Sequence, residues 1–362
     1  VVEPEAPGDA APPVRRLVLA PRGLAEAISP LAFGRVFVLD LASDCGQTCT
    51  FCSTRAKFSP QAVFHEAEVA RHTQGMRAAR EAGYDVLRLS GLDPLTHPGL
   101  HQLIRAGVEL GYQHVHIYSP FTRLADGPAR AALFEALGPV AYTLHVPVYG
   151  PDAQIHEAVT GVPGSFDAVC SALDGIVAEG ADASLNMLTV LTRHNLPHLD
   201  ALARLLRQWS APVQVFLPFP TTRATDDAFH LVATRHTELV GPLATCEPPM
   251  GLAELLPCVR YRHEVATGSP ALTRGGFHPV TAPLGTLFEH ADYRRAGDGN
   301  GNSFTIPVRR CPHARGCALA SLCPEMVYAT YAERFGLDEM QPVGAADLEA
   351  LSLELARLSR SA

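Results

Sequence analysis

The sequence predicts an α/β fold in which parallel strands alternate with helices, followed by a smaller C-terminal region of different character. Apolar runs of five to eight residues alternate with segments of helical periodicity between residues 35 and 217. The intervening helical segments are 10 or more residues long, which is the length that a crossover between parallel strands requires. After residue 240 the alternation stops, and Pro, Gly and polar residues become frequent.

Six strands and five helices are predicted in chain order. The first strand is the apolar run that begins at Arg35 and ends at Asp40, and three of the predicted helices end at Gly83, Gly111 and Gly180. Six such units fit an open barrel, but a doubly wound open sheet has the same periodicity, and the pattern alone does not separate the two. The predicted strands cover residues 35–40, 86–90, 114–119, 140–146, 184–191 and 213–217, and the predicted helices cover 64–82, 98–110, 128–137, 165–179 and 196–209.

The length, composition and net charge of the chain restrict the kind of protein that it can be. A chain of 362 residues that is 47% hydrophobic can bury a large core, and its length predicts about two structural units. It has no run of 18 apolar residues, and residues 1–13 lack the pattern of a signal peptide, so we expect a cytoplasmic protein without a membrane segment. The net charge of -8, with no basic run longer than two arginines, disfavours a nucleic-acid partner held by phosphate contacts.

Three of the nine cysteines lie in one eight-residue loop directly after the first predicted strand, at Cys45, Cys49 and Cys52. A structural zinc site takes four ligands and an ordinary cubane cluster takes four cysteines. Three thiolates therefore leave one metal position open for a substrate or a cofactor. Tight groups of cysteines are also typical of metal ligands in a reducing compartment rather than of disulfides.

The spacing C-x3-C-x2-C, with Phe51 before the last cysteine, resembles the signature of the radical S-adenosylmethionine (SAM) superfamily. The resemblance implies a [4Fe-4S] cluster on these cysteines, with SAM chelating the fourth iron near Phe51. One-electron reduction then cleaves SAM into methionine and a 5'-deoxyadenosyl radical. The family has a TIM-like partial barrel of six β/α units, which matches the predicted strand count. A zinc site and a chance match are the alternatives.

A second resemblance lies at the end of the second strand, where barrels of this kind gather their chemistry. Ser90, Gly91 and Asp93, followed by a proline, resemble the Gly-Gly-Glu-Pro turn that binds the amino group of SAM in the family. Three departures are present: serine precedes a single glycine, leucine stands in the usual neighbourhood of the glutamate, and aspartate replaces the longer glutamate. A glycine permits close backbone approach and a carboxylate accepts from an ammonium. The alternative is an Asp-Pro turn that caps the next helix.

Four other residues are candidates for contacts with the cofactor. Near the ends of later strands, the resemblance suggests His145 beside the ribose, Asn186 as a hydrogen-bond partner and Arg223 as a partner for a carboxylate of cofactor or substrate. The alternatives are a core histidine for His145 and a buried structural amide for Asn186. Lys57 is the single lysine beside 28 arginines, and it is either a carboxylate partner or an incidental surface residue.

Residues 150–166 resemble the segment that follows the fourth strand in many members of the family, with a Gly-Pro-Asp start and a Gly-x-x-Gly-Ser-Phe end. Ser165 suits the N-cap of a helix, and Gly161 and Gly164 allow a tight turn before it. A purely structural role for this segment is therefore the alternative.

A second cysteine group lies near the C-terminus, at Cys311, Cys317 and Cys323, with Cys258 upstream. This arrangement resembles the auxiliary-cluster domain of the family, called twitch or, in its longer form, SPASM. Four thiolates would close an auxiliary [4Fe-4S] cluster. Residues 275–281 lack the additional hairpin cysteine of the family, so one auxiliary cluster is the limit. The open alternatives are a four-cysteine zinc site, and Cys246, His278 or His313 as replacement ligands, while Cys170 is predicted to be a core residue.

The predicted domains are an N-terminal extension at 1–30, the barrel at 31–240, the auxiliary-cluster domain at 241–335 and a C-terminal helix at 336–362, where residues 345–358 are amphipathic. The first 30 residues are too few for a separate peptide-recognition domain.

The predicted function is reductive cleavage of SAM followed by hydrogen abstraction inside a barrel that closes around its substrate. A reduced flavodoxin or ferredoxin would supply the electron. Peptide maturation is the preferred reaction, and oxidation or rearrangement of a small molecule such as an aminocyclitol or sugar is the alternative. A non-catalytic iron-sulfur carrier or scaffold is the alternative of another class.

Overall fold

The computed structural model describes residues 36–41, 44–52, 66–211, 213–218, 232–247, 251–252, 255–267, 293–297, 308–319 and 326–347. These residues belong to one compact unit, Gly34–Ala362. The predictions for the N-terminal extension, for Lys57, Arg223, His278 and Cys323, and for the C-terminal helix beyond residue 347 lie outside the described residues. None of the helices in the described ranges is long and apolar enough to span a bilayer.

The structure confirms the predicted alternation of strands and helices. All six predicted strands and all five predicted helices are present at the expected places, together with further elements that were not predicted. The strands are β1 Val36–Leu41, β2 Val86–Gly91, β3 His114–Tyr118, β4 Ala141–Pro147, β5 Leu185–Val190, β6 Val213–Phe216, β7 Gly251–Leu252, β8 Tyr293–Gly297, β9 Val308–Arg310 and β10 Met326–Tyr328. The helices are α1 Glu66–Glu81, α2 Leu100–Glu109, α3 Gly127–Leu137, α4 Ala153–Thr160, α5 Ser165–Ala178, α6 Leu199–Leu206, α7 His236–Thr245, α8 Pro257–Thr267 and α9 Ala329–Phe335.

The main sheet follows the order β7-β6-β5-β4-β3-β2-β1-β8, and β9 and β10 form a separate antiparallel pair. Each neighbouring pair in the main sheet is parallel. Strands β1 to β6 stand in chain order without a reversal, whereas a doubly wound sheet reverses its strand order at a switch point. The fold is therefore a partial, TIM-like (β/α) barrel, as predicted. The outer strands β7 and β8 are additions that the sequence did not predict.

The two faces of this sheet differ in chemistry. In β2, Leu87 and Leu89 are fully buried, and they alternate with Arg88 and Ser90. The helices cover the leucine face, because a Cβ atom on Gly107 of α2 would lie 2.8 Å from Leu87. The opposite face carries polar side chains and lines the interior of the partial barrel.

Capping side chains define two of the helices on the outside of the sheet. Asp126 accepts a hydrogen bond from the backbone N–H of Ala129 at the start of α3. Asp152 does the same with Ile155 at the start of α4, a short helix that the sequence did not predict.

The predicted N-cap at the start of α5 was wrong. Gly164, at φ +78°, occupies the N-cap position, and Ser165 is the first residue of the helix. The Ser165 hydroxyl lies 2.8 Å from Oγ1 of Thr160, so it is engaged by the end of α4 instead of capping its own helix.

Hydrogen bonds and an ion pair hold α9 and the residues that follow it against the start of α7. Glu339 is buried and accepts hydrogen bonds at 2.7 Å from both the backbone N–H and the hydroxyl of Thr237. Tyr331 of α9 donates its hydroxyl to the same carboxylate. At the surface, Arg235 forms a 3.0 Å ion pair with Asp338. These contacts hold the chain that follows α9 in position.

Candidate functional site

The cysteine loop, residues 44–52, leaves the carboxyl end of β1 and is held from two sides. On one side the hydroxyl of Thr96, which follows β2, donates to the carbonyl of Asp44 at 2.6 Å. On the other side the backbone N–H of Thr48 donates to the carbonyl of Thr160 at 2.7 Å, at the end of α4. The three cysteines of this loop are half-buried. Two different β/α units thus determine where their thiols lie.

Gly161 makes the contact between α4 and the cysteine loop possible. It ends α4 at φ +69°, in the left-handed region that favours glycine. A Cβ atom at this position would lie well inside van der Waals contact with Oγ1 of Thr48. The family-like segment at 150–166 therefore acts as the surface on which the cysteine loop docks.

Tyr149 is a member of this site that the sequence did not predict. It follows β4, is buried, and its ring meets that of Phe51 edge-on, with 5.2 Å between the ring centroids. Burial raises the pKa of the Tyr149 hydroxyl well above its usual range, and the charges of the three neighbouring thiols raise it further. An aromatic residue directly before the Gly-Pro-Asp sequence was the available signal for this position.

Gly91 allows the backbones of β1 and β2 to approach each other closely. Its φ is +121°, and a Cβ atom there would overlap the backbone of Leu41. One residue earlier, the hydroxyl of Ser90 donates to Oδ1 of Asp40 at 2.7 Å, with both side chains buried. The structure thus shows a close approach of Gly91 to the backbone of the neighbouring strand, and its predicted approach to a ligand stays a prediction.

Asp93 is buried at the start of the turn after β2. Its Oδ1 accepts from the backbone N–H of Leu95 at 3.1 Å and from the hydroxyl of Ser119 at 2.6 Å. The first of these bonds caps the short 3-10 helix Pro94–Thr96, so the capping role considered from the sequence is present. Burial is the main influence on this carboxyl group and raises its pKa, while the bond from Ser119 opposes that shift.

His145 and Asn186 lie next to each other in the barrel interior. The amide Nδ2 of Asn186 is 2.8 Å from Nδ1 of His145, and Nε2 of His145 is 2.9 Å from Nδ1 of His116. Burial lowers the pKa of His145 well below its usual range and the pKa of His116 to about 3, so both rings are neutral near pH 7. With Asn186 donating, the proton of His145 is on Nε2 and is donated to His116.

Arg88 is a further interior residue that the sequence did not predict. Its position in β2 pairs with His116 in β3, and its guanidinium carbon lies 3.9 Å from the centre of the Tyr118 ring. Tyr118 in turn stacks on His145, with 3.8 Å between centroids and 6° between planes. The sequence feature that could have indicated this residue is an arginine at an alternate position of an otherwise apolar strand.

The second cysteine group is assembled partly by α8. Cys258, the second residue of α8, is buried. Burial raises the pKa of this thiol, and its electrostatic interactions with Cys311 and Cys317 raise it further, as expected for thiols in the same region of the fold. The backbone N–H of His313 points to Sγ of Cys311 at 3.4 Å, and that of Val343 points to Sγ of Cys317 at 3.5 Å. Backbone donors to sulfur are typical of iron-sulfur sites, where they tune the cluster.

Cys246 and Cys170 have different surroundings from the second cysteine group. Sγ of Cys246 is 3.9 Å from the carbonyl of Leu199, and its charged neighbours are Asp200 and Arg204 rather than the auxiliary thiols. Cys170 is partly buried on α5 and packs against the hydrophobic core, as predicted. Of the two residues considered for the upstream ligand, Cys258 is the one beside Cys311 and Cys317.

The donor sets fit clusters better than single ions. Each thiolate of a [4Fe-4S] cluster binds a separate iron, whereas the four ligands of zinc converge on one point. The three thiols of the loop of Cys45, Cys49 and Cys52 equal in number the thiolates that a [4Fe-4S] cluster with one open iron would take.

Comparison with known proteins agrees with this site. Residues 41–206, from the end of β1 to the end of α6, match the model of the Radical SAM superfamily. This part of the chain is therefore similar to a radical SAM domain, and that superfamily implies SAM and a [4Fe-4S] cluster.

The relatives carry several different names. The chain is 26% identical over 211 residues to an AdoMet-dependent heme synthase of Oleidesulfovibrio alaskensis, covering 57% of this chain and 51% of the relative. It is 27% identical over 225 residues to a PqqA peptide cyclase of Ruegeria pomeroyi, covering 57% and 56%. Among solved structures, Streptococcus suis SuiB bound to S-adenosylmethionine has a TM-score of 0.46 and 14% identity, covering 84% of this chain and 55% of SuiB. The chain spans about half the length of the curated relatives it matches.

Proposed function

We propose that this protein is a radical SAM enzyme that cleaves SAM reductively and abstracts a hydrogen atom from a peptide, as one step of peptide maturation. The observation that carries the proposal is the three-cysteine loop held at the carboxyl edge of the barrel within a region similar to a radical SAM domain. Cys45, Cys49 and Cys52 would hold the [4Fe-4S] cluster. When bound, the cluster and SAM supply the 5'-deoxyadenosyl radical that removes a hydrogen atom from an unactivated carbon.

The residues around the loop position it and limit the access of water. Thr96 and Thr160 fix the backbone of the loop from opposite sides. Phe51 and the buried Tyr149 form an aromatic wall beside the thiols, which protects a reactive radical from solvent. The SAM contacts we propose are Phe51, Ser90, Gly91, Asp93, His145, Asn186 and Arg223, most of which lie at or below this edge of the sheet.

A peptide substrate is supported by the relative named as a peptide cyclase. The relative named as a heme synthase favours a second candidate, in which the same domain acts on a small molecule. One fold supports many substrates, so the fold does not choose between them. A non-catalytic iron-sulfur carrier is the third candidate, and it would bind clusters without cleaving SAM.

We further propose an auxiliary [4Fe-4S] cluster on Cys258, Cys311, Cys317 and Cys323. Its support is the proximity of the first three thiols and the backbone donors that point at two of them. This cluster would accept an electron from the substrate radical or anchor the substrate. In a reducing cytoplasm, flavodoxin or ferredoxin would be the reductant. The domain boundaries proposed from the sequence, 31–240 and 241–335, separate the two clusters.

Anaerobic reconstitution with iron and sulfide tests these proposals. We expect about eight irons per chain, from two cubane clusters, and formation of 5'-deoxyadenosine when SAM and dithionite are added. Joint substitution of Cys45, Cys49 and Cys52 by alanine should leave about four irons and no 5'-deoxyadenosine. Zinc in place of iron, or iron without 5'-deoxyadenosine, would contradict the catalytic function.

A further inference from the structure

Arg88 places a positive charge on the polar face of the sheet, away from the surface helices. The side chain is half-buried, and its Nε atom is buried without a hydrogen-bond partner among the described residues. No described carboxylate forms a salt bridge with its guanidinium group. An arginine held partly out of water without an anion is costly, and its planar guanidinium matches the geometry of a carboxylate or phosphate.

The groups around Arg88 do not neutralise it. The neighbouring side chains on β3 and β4 are His114, His116, Tyr118 and His145, and burial lowers the pKa of all three histidines, which leaves them neutral near pH 7. The acidic side chain on the same face of β1 is Asp40, which pairs in register with Ser90 and accepts its hydroxyl. The three neutral histidines therefore add no charge beside that of Arg88.

The geometry around Arg88 also orients the guanidinium plane. Its central carbon lies 3.9 Å from the centre of the Tyr118 ring, and His145 stacks on the same tyrosine. Stacking of this kind restricts the side chain before a ligand arrives and suits the planar, two-pronged recognition of a carboxylate. Nearby on the same face, Oδ1 of the buried Asn186 has no hydrogen-bond partner among the described residues, so the interior also offers an acceptor.

We propose that Arg88 binds a carboxylate group of the substrate inside the barrel. The proposal rests on the proposed function, because it assigns to the substrate the part of the interior around Arg88, which lies two residues along the strands from the proposed SAM contacts His145 and Asn186. Arg88 precedes Gly91 by three residues, which places it about 10 Å below the carboxyl edge where the cysteine loop lies. That depth separates it from the open iron, to which the amino and carboxylate groups of SAM would be bound. A substrate carboxylate fits the charge, the planarity and the depth of the position.

Calorimetric titration of the iron-loaded protein with SAM bound tests this proposal with matched probes. The first pair is 3-phenylpropionate and its amide, and the second pair is acetyl-Gly-Glu-Gly-amide and the same peptide with glutamine. We expect the wild-type protein to bind at least one carboxylate about tenfold or more tightly than its amide. Arg88→Gln should reduce that ratio to about one, and Arg88→Lys should keep part of it, because lysine retains the charge without the planar fork.

The exposed Arg204, which pairs with Asp200 on α6, provides the matched control. Arg204→Gln should leave the ratio unchanged, and thermal unfolding of each variant would show that it is folded. If the protein prefers the carboxylate over the amide only in the peptide pair, the carboxylate belongs to a peptide substrate. If it does so only for 3-phenylpropionate, the carboxylate belongs to a small molecule.

Several results would overturn the proposal. Wild-type protein that does not prefer either carboxylate, or an unchanged ratio in Arg88→Gln, contradicts it. Tighter binding of phenylphosphonate than of 3-phenylpropionate would contradict the carboxylate assignment. Weakened SAM binding in Arg88→Gln with an unchanged ratio would assign the arginine to the cofactor instead. The 5'-deoxyadenosine assay on the wild-type protein without substrate tests the proposed function separately, because failure to form 5'-deoxyadenosine contradicts that function and leaves the carboxylate ratio measurable.

Discussion

At the scale of single residues, the position of the cysteine loop depends on a close contact between Gly161 and Thr48. The loop has no regular secondary structure of its own, and its backbone bonds to Thr160 and Val159 are made at the end of α4. A small displacement of this helix end would move all three thiols together. A residue far from the cysteines in sequence thus controls their geometry.

Gly161→Ala should reduce the iron bound by the first cluster and lower thermal stability. The added Cβ is strained at φ +69° and overlaps Oγ1 of Thr48, so the loop must shift. We expect a loss of about 1 kcal/mol or more in the free energy of unfolding. Iron per chain after reconstitution and the midpoint of thermal unfolding are the measurements.

Gly164→Ala is the matched control for that substitution. Gly164 also has a positive φ, +78°, but a Cβ atom there would meet nothing within 4 Å. It should therefore lose stability through backbone strain without losing iron. Equal iron loss in the two variants would show that the contact with Thr48 does not position the cluster loop.

Local spacing made some of the site residues predictable, and others depend on contacts that spacing does not contain. Cys45, Cys49 and Cys52 lie within one loop, so their proximity follows from the sequence. The partner of Asp93 is Ser119, which arrives from the end of the next strand. The same Asp-Pro sequence is compatible with a helix cap and with a cofactor contact. Ser119 comes from another strand, so its contact with the carboxylate of Asp93 depends on the tertiary fold.

At the scale of elements, the strands and long helices were predictable because their periodicity is strong, whereas short elements were not. Helix α4 has eight residues and lies between Gly150 and Gly161, so its segment resembled a loop. Strand β8, Tyr293–Gly297, contains two arginines and a glycine and has no apolar alternation. Its place beside β1 results from pairing with a distant strand, which the local sequence does not encode.

Helix α8 leads to a prediction about the second cluster. Cys258→Ala should remove about four irons per chain, because its thiol lies beside Cys311 and Cys317, while uncoupled formation of 5'-deoxyadenosine continues. Iron analysis and the deoxyadenosine assay are the measurements.

Cys246→Ala is the control for that variant, since Cys246 is buried on another helix near Leu199. It should keep all of its iron. Loss of iron from Cys246→Ala with retention in Cys258→Ala would reverse the ligand assignment.

At the scale of the whole molecule, binding of SAM should stabilise the fold only when the first cluster is present. A ligand that binds the native state at 100 times its Kd adds about 2.7 kcal/mol to the free energy of unfolding. For a protein of this size we expect the midpoint of thermal unfolding to rise by a few degrees. Differential scanning fluorimetry under anaerobic conditions, with and without SAM, measures the shift.

The variant with alanine at Cys45, Cys49 and Cys52 shows which of the two clusters the stabilisation by SAM depends on. It should retain auxiliary iron and show no shift with SAM, because it has no open iron for the cofactor to chelate. A shift of the same size in this variant would mean that SAM binds without the first cluster.

The two faces of the sheet have a consequence for engineering. Leu87 and Leu89 pack against the helices, while Arg88, His116 and Asn186 alternate with such residues and face the interior. The packed residues and the proposed ligand contacts thus occupy interleaved positions of the same strands. A combinatorial library restricted to the interior positions would diversify the chamber and leave the packed layer intact. New specificities should then be obtainable from this scaffold at little cost in expression.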